Sequence, residues 1–89
     1  MNKPAKYRKK PVVIEAMQFY DTKEGIAAAM RFLPFGGILG DERHGWYLSI
    51  KTLEGTMTCR SGDWIIKGVK GEFYPVKDDI FRATYEEVG

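Results

Sequence analysis

Basic and aromatic side chains between residues 60 and 74 are the best suited to binding chemistry in this chain. They are Arg60, Trp64, Lys67, Lys70 and Tyr74. Lysine and arginine supply charge for a phosphate or a carboxylate, and an aromatic ring supplies a face on which a base can stack. The pattern therefore predicts a ligand-binding site for a small anionic or nucleotide-like molecule.

A glycine-punctuated loop, Gly68–Gly71, lies inside this stretch and carries Lys70. Its backbone amides could approach an anion closely. The run Gly-Val-Lys-Gly is not a Walker sequence, and no helix is predicted directly after it. The alternative interpretation is structural: the glycines form a turn, and the large aromatic side chains fill the core of a small domain.

Catalytic chemistry has weaker support in the sequence. Cys59 and His44 are a nucleophile and a base by type, but they fall on a predicted strand and a predicted loop without a third, orienting group. Neither has the neighbours that a zinc site requires. We therefore expect a non-enzymatic protein with no catalytic residue, no metal and no cofactor.

A basic N-terminal arm, residues 1–10, is the second notable feature. It holds five of the 14 basic residues and no acidic one, so residues 11–89 carry a net charge of −3. Such an arm can bind phosphates or an acidic protein surface, or it can remain a solvated tail. The predicted partner-binding residues are Lys6, Arg8, Lys9 and Lys10. We do not expect nucleic-acid binding, because the rest of the chain lacks a basic face.

The elements that must position these residues belong to one small domain. A chain of 89 residues buries a thin core, which oligomerisation could supplement, and its 13 % aromatic content argues against disorder. The single cysteine and the lack of a long apolar run predict a cytosolic protein without a membrane span. We divide the chain into the arm and a single domain over residues 11–89.

The first half of that domain predicts a strand followed by a helix. Pro11–Tyr20 is rich in β-branched and aromatic residues, as strands are. Asp21 is the predicted N-cap of a helix that reaches Leu33 and stops at Pro34. The glycine-rich residues 35–45 are predicted to form a loop.

The second half predicts antiparallel strands joined by glycine turns, with a single helical turn before the last strand. The predicted strands are Trp46–Leu53, Thr56–Arg60, Trp64–Lys67, Glu72–Val76 and Ala83–Val88. Sequence neighbours usually pair in space. We therefore predict an α+β fold in which one helix packs on a curved antiparallel sheet of five or six strands. A partly closed β-barrel is the alternative.

Both ends of the chain carry motifs that resemble a family of small uncharacterised proteins from tailed phages and prophages. The motifs are KYRKKPVVIEA at residues 6–16, GDWIIKGVKGEFYP at 62–75, DIF at 79–81 and ATYE at 83–86. The chain departs from the family pattern at Ser61, Val76 and Asp78, where proline, cysteine and proline are usual. The resemblance implies a viral origin and a location in the bacterial host cytoplasm.

Phage proteins of this size are commonly host-takeover or anti-defence factors, and two functional hypotheses follow. The first is a binder that sequesters an anionic or nucleotide-like ligand. The second is a protein-interaction module that engages a host protein or a phage component through the basic arm and an exposed sheet edge. A homo-oligomer is compatible with either hypothesis.

Overall fold

The computed structural model describes residues 3–8, 10–34 and 36–88. Within these residues the chain forms six strands and two helices, which confirms the predicted α+β class. In chain order the elements are β1 (Glu15–Gln18), α1 (Lys23–Phe32), β2 (Gly37–Asp41), β3 (Gly45–Thr52), β4 (Gly55–Cys59), β5 (Trp64–Lys67), β6 (Phe73–Val76) and α2 (Asp78–Thr84).

The strands form two three-stranded antiparallel sheets and not the predicted single sheet. Sheet A has the order β1-β5-β6, and sheet B has the order β2-β3-β4. Strand β6 lies against β3 and β4 without joining their sheet, and the described strands close no barrel. Pro75 within β6 has no amide N–H to donate, which suits a strand at the edge of a sheet.

Helix α1 confirms the predicted helix with its start shifted by one residue. The N-cap is Thr22, whose hydroxyl accepts a hydrogen bond from the Gly25 amide at 2.9 Å. The Asp21 carboxylate instead accepts the Trp46 amide N–H at 2.9 Å. Asp21 therefore ties the approach to α1 to the start of β3.

The predicted loop over residues 35–45 is wrong, because most of it forms strand β2 and a tight turn. Gly40 has φ +109, and a Cβ there would lie 2.1 Å from the Gly45 carbonyl oxygen, so only glycine fits this close pairing. The Asp41 carboxylate accepts the amide N–H groups of Arg43 and His44 and holds the turn. Two of the glycines that suggested a loop, Gly40 and Gly45, have the positive φ that this hairpin requires.

The predicted last strand, Ala83–Val88, is also wrong. Helix α2 continues through Thr84, and residues 85–88 are irregular. Asp78 and Asp79 lie in the first turn of α2 and Arg82 in the last, which complements the helix dipole, and Arg82 pairs with Asp78 at 2.9 Å. These local charges favour a longer helix over a strand.

The core lies between the sheets and α1, and sheet A is buried on both faces. The core contains Phe19, Ala29, Leu33, Leu48, Ile50, Cys59, Ile65 and Phe73. Ile65 points into this core from the inner face of sheet A. Ile66, its neighbour along β5, is also fully buried, but on the outer face, where Phe81 of α2 stacks on Trp64. No helix in the described part of the chain is long and apolar enough to cross a membrane.

Candidate functional site

The residues of the predicted ligand site lie on different faces of the molecule. Strand register places Trp64 and Tyr74 on the outer face of sheet A, whereas Lys67 lies on the inner face opposite Glu15 and Phe73. Arg60 follows β4 in sheet B, and Lys70 lies at the tip of the β5–β6 loop. The structure therefore brings the two aromatic residues together but distributes the three cations.

Trp64 is held in place by contacts within the chain. Its indole ring stacks on Phe81 of α2 with ring centroids 3.8 Å apart. Its Nε1–H donates to Asp78 Oδ1 at 2.8 Å. One face of the indole is therefore already covered, and the side chain fastens α2 to sheet A.

Asp78 is the centre of a polar cluster that sequence patterns did not single out. Besides the Trp64 indole, the Gln18 amide and the Arg82 guanidinium donate to the same Oδ1 at 3.1 and 2.9 Å. The Trp64 hydrogen bond is the main cause that lowers the pKa of Asp78 below its ordinary value, and the Arg82 and Gln18 donors add to it. We call these four residues the Asp78 cluster. Gln18 is sixty residues away along the chain, so no local spacing could have revealed it.

Tyr74 also has interactions within the chain. Burial, a hydrogen bond to Tyr85 and the charge of Glu72 raise the pKa of Tyr74 to about 12. The phenol therefore stays neutral at physiological pH. Its position on the outer face, near the C-terminal segment, makes it part of the packing between sheet A and residues 85–88.

The Gly68–Gly71 loop already binds an anionic group of its own. The Glu72 carboxylate accepts the Lys70 amide N–H at 2.9 Å and lies 2.5 Å from the position that a Cβ on Gly68 would occupy. The Gly68 and Gly71 amides are bonded to the carbonyl oxygens of Glu72 and Gly68. An external anion would have to displace these contacts.

Lys67 and Arg60 are held by weaker contacts than Trp64 and Tyr74. Lys67 pairs with Glu15 at 3.7 Å while both side chains remain largely exposed, and such a pair contributes little to stability. The Arg60 guanidinium lies 4.9 Å from the centre of the Tyr47 ring, its cross-strand neighbour on the outer face of sheet B. Arg60 is exposed, and the Tyr47 ring holds its guanidinium in one orientation.

The two residues with catalytic chemistry are kept apart by the fold. Cys59 is fully buried in the core, and burial raises the pKa of its thiol to about 12. His44 lies exposed in the β2–β3 turn, where its Nδ1 is 3.0 Å from Asp41. Within residues 3–8, 10–34 and 36–88, no three His, Cys, Asp or Glu side chains are grouped so that they could hold a metal ion.

The described residues of the basic arm form an extended and exposed segment. Residues 3–8 have no regular secondary structure, and Lys6, Arg8 and Lys10 are all exposed. Tyr7 is 93 % exposed, and Val13, beyond the arm, is 75 % exposed. Lys9, the remaining predicted partner-binding residue, lies outside the described residues.

The arm leads into an open sheet edge. After residue 14 the chain enters β1, which among the described strands pairs only with β5. The other side of β1 is an edge of sheet A and can offer backbone hydrogen bonds to a partner strand. Four residues, 11–14, join the arm to the edge of β1.

Comparisons with protein-family models, with curated proteins and with solved structures gave no match for this chain.

Proposed function

We propose that this chain is a non-enzymatic protein-interaction module whose basic arm and β1 edge bind an acidic protein. The single observation that carries the proposal is the exposure of the arm, in which Tyr7 is 93 % exposed. A large aromatic ring between Lys6 and Arg8, with almost no contact to its own domain, has the composition of a binding surface. Its charges would speed encounter with a negative partner.

The resemblance to phage proteins suggests the setting in which such a partner would be found. It favours a host-takeover or anti-defence factor in the bacterial cytoplasm, acting on a host protein or a phage component. An acidic partner strand would add to β1 while the arm binds nearby carboxylates. The affinity would then come from the aromatic and backbone contacts, and the rate of association from the charges.

The test is capture of host proteins by the full chain with the arm neutralised. The arm variant carries Lys6→Gln, Arg8→Gln and Lys10→Gln, and the matched control carries Lys23→Gln, Arg31→Gln and Lys51→Gln, which are exposed on the domain. The proposal expects the arm variant alone to lose the captured protein, and expects wild-type capture to weaken as salt rises. Equal capture by the two variants would overturn it.

Capture of a small anionic ligand is a second candidate, and one observation favours it. The Arg60 guanidinium is exposed and already stacked on Tyr47, so its N–H groups can bind a phosphate with little ordering cost. Equilibrium dialysis against labelled nucleotides checks this, with Arg60→Ala and Lys70→Ala as variants. Ligand uptake that survives Arg60→Ala would remove this residue from the hypothesis.

A further inference from the structure

A cleft beside α2 combines an apolar wall with an acidic rim. It has a volume of about 240 Å³, and its apolar wall includes Ala16 and Phe81. Glu86 and Glu87 lie at its rim and are exposed. Neither of these two glutamates forms an ion pair with another described residue. The cleft therefore suits a ligand that carries an aromatic ring next to basic groups.

The N-terminal arm has this complementary composition. Lys6, Tyr7 and Arg8 are consecutive and exposed, and among the described residues the two cations have no ion-pair partner. The two ends of the chain carry opposite charge: residues 3–10 hold five basic and no acidic residues, and residues 78–88 hold four acidic and one basic. Charge complementarity therefore exists within a single sequence.

The position of the arm favours contact between two copies. Lys10, Pro11 and Val12 lie against Thr84 and Tyr85, so the arm leaves the domain beside the C-terminal segment. Tyr7 nevertheless makes almost no contact with its own domain. At about 3.3 Å per extended residue, an arm of eight residues can reach roughly 25 Å. This length is enough to cross onto a second copy.

We infer that two copies of this chain form a symmetric dimer by exchanging arms, with Tyr7 of each copy in the cleft of the other. Lys6 and Arg8 then lie next to Glu86 and Glu87 of the second copy. A two-fold axis makes the contact twice, since the same arm and the same cleft occur on both copies. The inference rests on the proposed function, because it names one acidic surface that the arm binds.

The experiment exploits the opposite charges at the two ends. One variant reverses the arm (Lys6→Glu with Arg8→Glu), and a second reverses the rim (Glu86→Lys with Glu87→Lys). Sedimentation velocity on each full chain should show a dimer dissociation constant at least about tenfold weaker than that of the wild type. An equimolar mixture of the two variants should form a heterodimer, because both contacts are then between opposite charges.

A third measurement separates exchange from docking of the arm on its own chain. If the arm docks in the cleft of its own chain, a chain that carries all four reversals regains the contact between arm and cleft. The mixture of the two variants does not regain it in that case. This pattern would overturn the inference. Tyr7→Ala should also weaken the dimer, whereas Tyr20→Ala, an exposed tyrosine on the domain, should leave it unchanged. Equal effects of the two tyrosine variants would count against the cleft.

Failure here is distinguishable from failure of the proposed function. A wild-type chain that remains monomeric at every soluble concentration, but loses host-protein capture when the arm is neutralised, overturns arm exchange and leaves the interaction module intact. A charge-dependent dimer whose capture is insensitive to the arm supports exchange and overturns the heteromeric function.

Discussion

Sheets A and B each have three strands but are buried differently. Ile65 and Ile66 lie on opposite faces of sheet A and are both fully buried, and α2 packs on the outer face through the Trp64–Phe81 stack. Sheet B contributes Leu48 and Ile50 to the core from one face, while Lys51 and Thr58 remain exposed on the other. Sheet A is therefore buried on both faces at Ile65 and Ile66, whereas sheet B is buried on one face only.

This difference shows how a small chain uses its two helices. Helix α1 packs on the core shared by both sheets, where Phe32 meets Phe73 edge-on with ring centroids 5.5 Å apart. Helix α2 packs on sheet A through the Trp64 stack and the Asp78 cluster. The outer face of sheet B therefore remains available to solvent or to a partner.

The largest expected effect is the difference in stability between substitutions on the outer face of sheet A and on the outer face of sheet B. We expect Ile66→Ala to lower the free energy of unfolding by about 2–5 kcal/mol, because it empties a fully buried site. The control Lys51→Ala, on the outer face of sheet B, should change it by less than about 0.5 kcal/mol. Urea unfolding followed by tryptophan fluorescence measures both, and similar losses would show that the two outer faces do not differ.

A smaller effect is expected at the β2–β3 hairpin of sheet B. Gly45 has φ +90, and a Cβ there would approach the Asp21 carboxylate at 2.8 Å. Gly45→Ala should therefore cost about 1–2 kcal/mol. Gly37→Ala is the matched control in the same sheet, because nothing lies within 4 Å of its Cβ position, and we expect a change below about 0.5 kcal/mol. Equal unfolding midpoints in urea would refute this difference.

Protonation of Asp78 in acid should lower the stability of the fold more than protonation of Asp41. Both carboxylates have a lowered pKa in the folded chain, Asp78 mainly through the Trp64 indole and Asp41 mainly through the His44 amide. Each therefore adds stability above its unfolded pKa of about 3.9, which is lost as the pH falls through the folded pKa. Asp78 should matter more, because its donors come from β1, β5 and α2.

The measurement is urea stability between neutral pH and pH 2 for Asp78→Asn and Asp41→Asn. We expect Asp78→Asn to flatten the acid decline more strongly than Asp41→Asn, since an amide does not titrate in this range. A wild-type slope retained in Asp78→Asn would show that the Asp78 cluster does not carry the pH dependence.

The smallest expected effect is on the rate at which sheet B opens, and the reactivity of the Cys59 thiol reports that rate. Burial keeps its thiol protonated, with a pKa of about 12, so a thiol reagent at pH 8 should react far more slowly with the folded chain than with the urea-unfolded chain. The labelling rate should not change in Asp78→Asn at neutral pH if sheet B opens independently of α2. Faster labelling in that variant would show that the two sheets open together.

Local signals in the sequence predicted much of the fold. Strand β5 occurs with the predicted bounds, Trp64–Lys67, and a tight turn joins β3 to β4 at Leu53-Glu54, one residue before the predicted Glu54-Gly55. Helix α1 was predicted to within one residue of its cap. These features depend on side chains within a few positions of one another, so a single sequence contains the information that specifies them.

The candidate site was less predictable, because its residues are positioned by strand pairing and by contacts with residues that are distant in the sequence. Trp64 and Tyr74 were placed on one surface with Arg60, Lys67 and Lys70, yet strand register directs Lys67 to the opposite face. The sequence also suggested that the loop amides are available to an anion, whereas Glu72 accepts one of them. Proximity along the chain does not reveal which face a side chain occupies.

By itself, the sequence determined the α+β class, the basic arm and the opposite charge of the two ends, because these depend on composition and on local preference. Only the tertiary structure decided that the strands divide into two sheets and that Gln18 and Trp64 meet at Asp78. The physical reason is that local propensity acts over a few residues. Pairing and burial are instead decided by competition among contacts far apart in the chain.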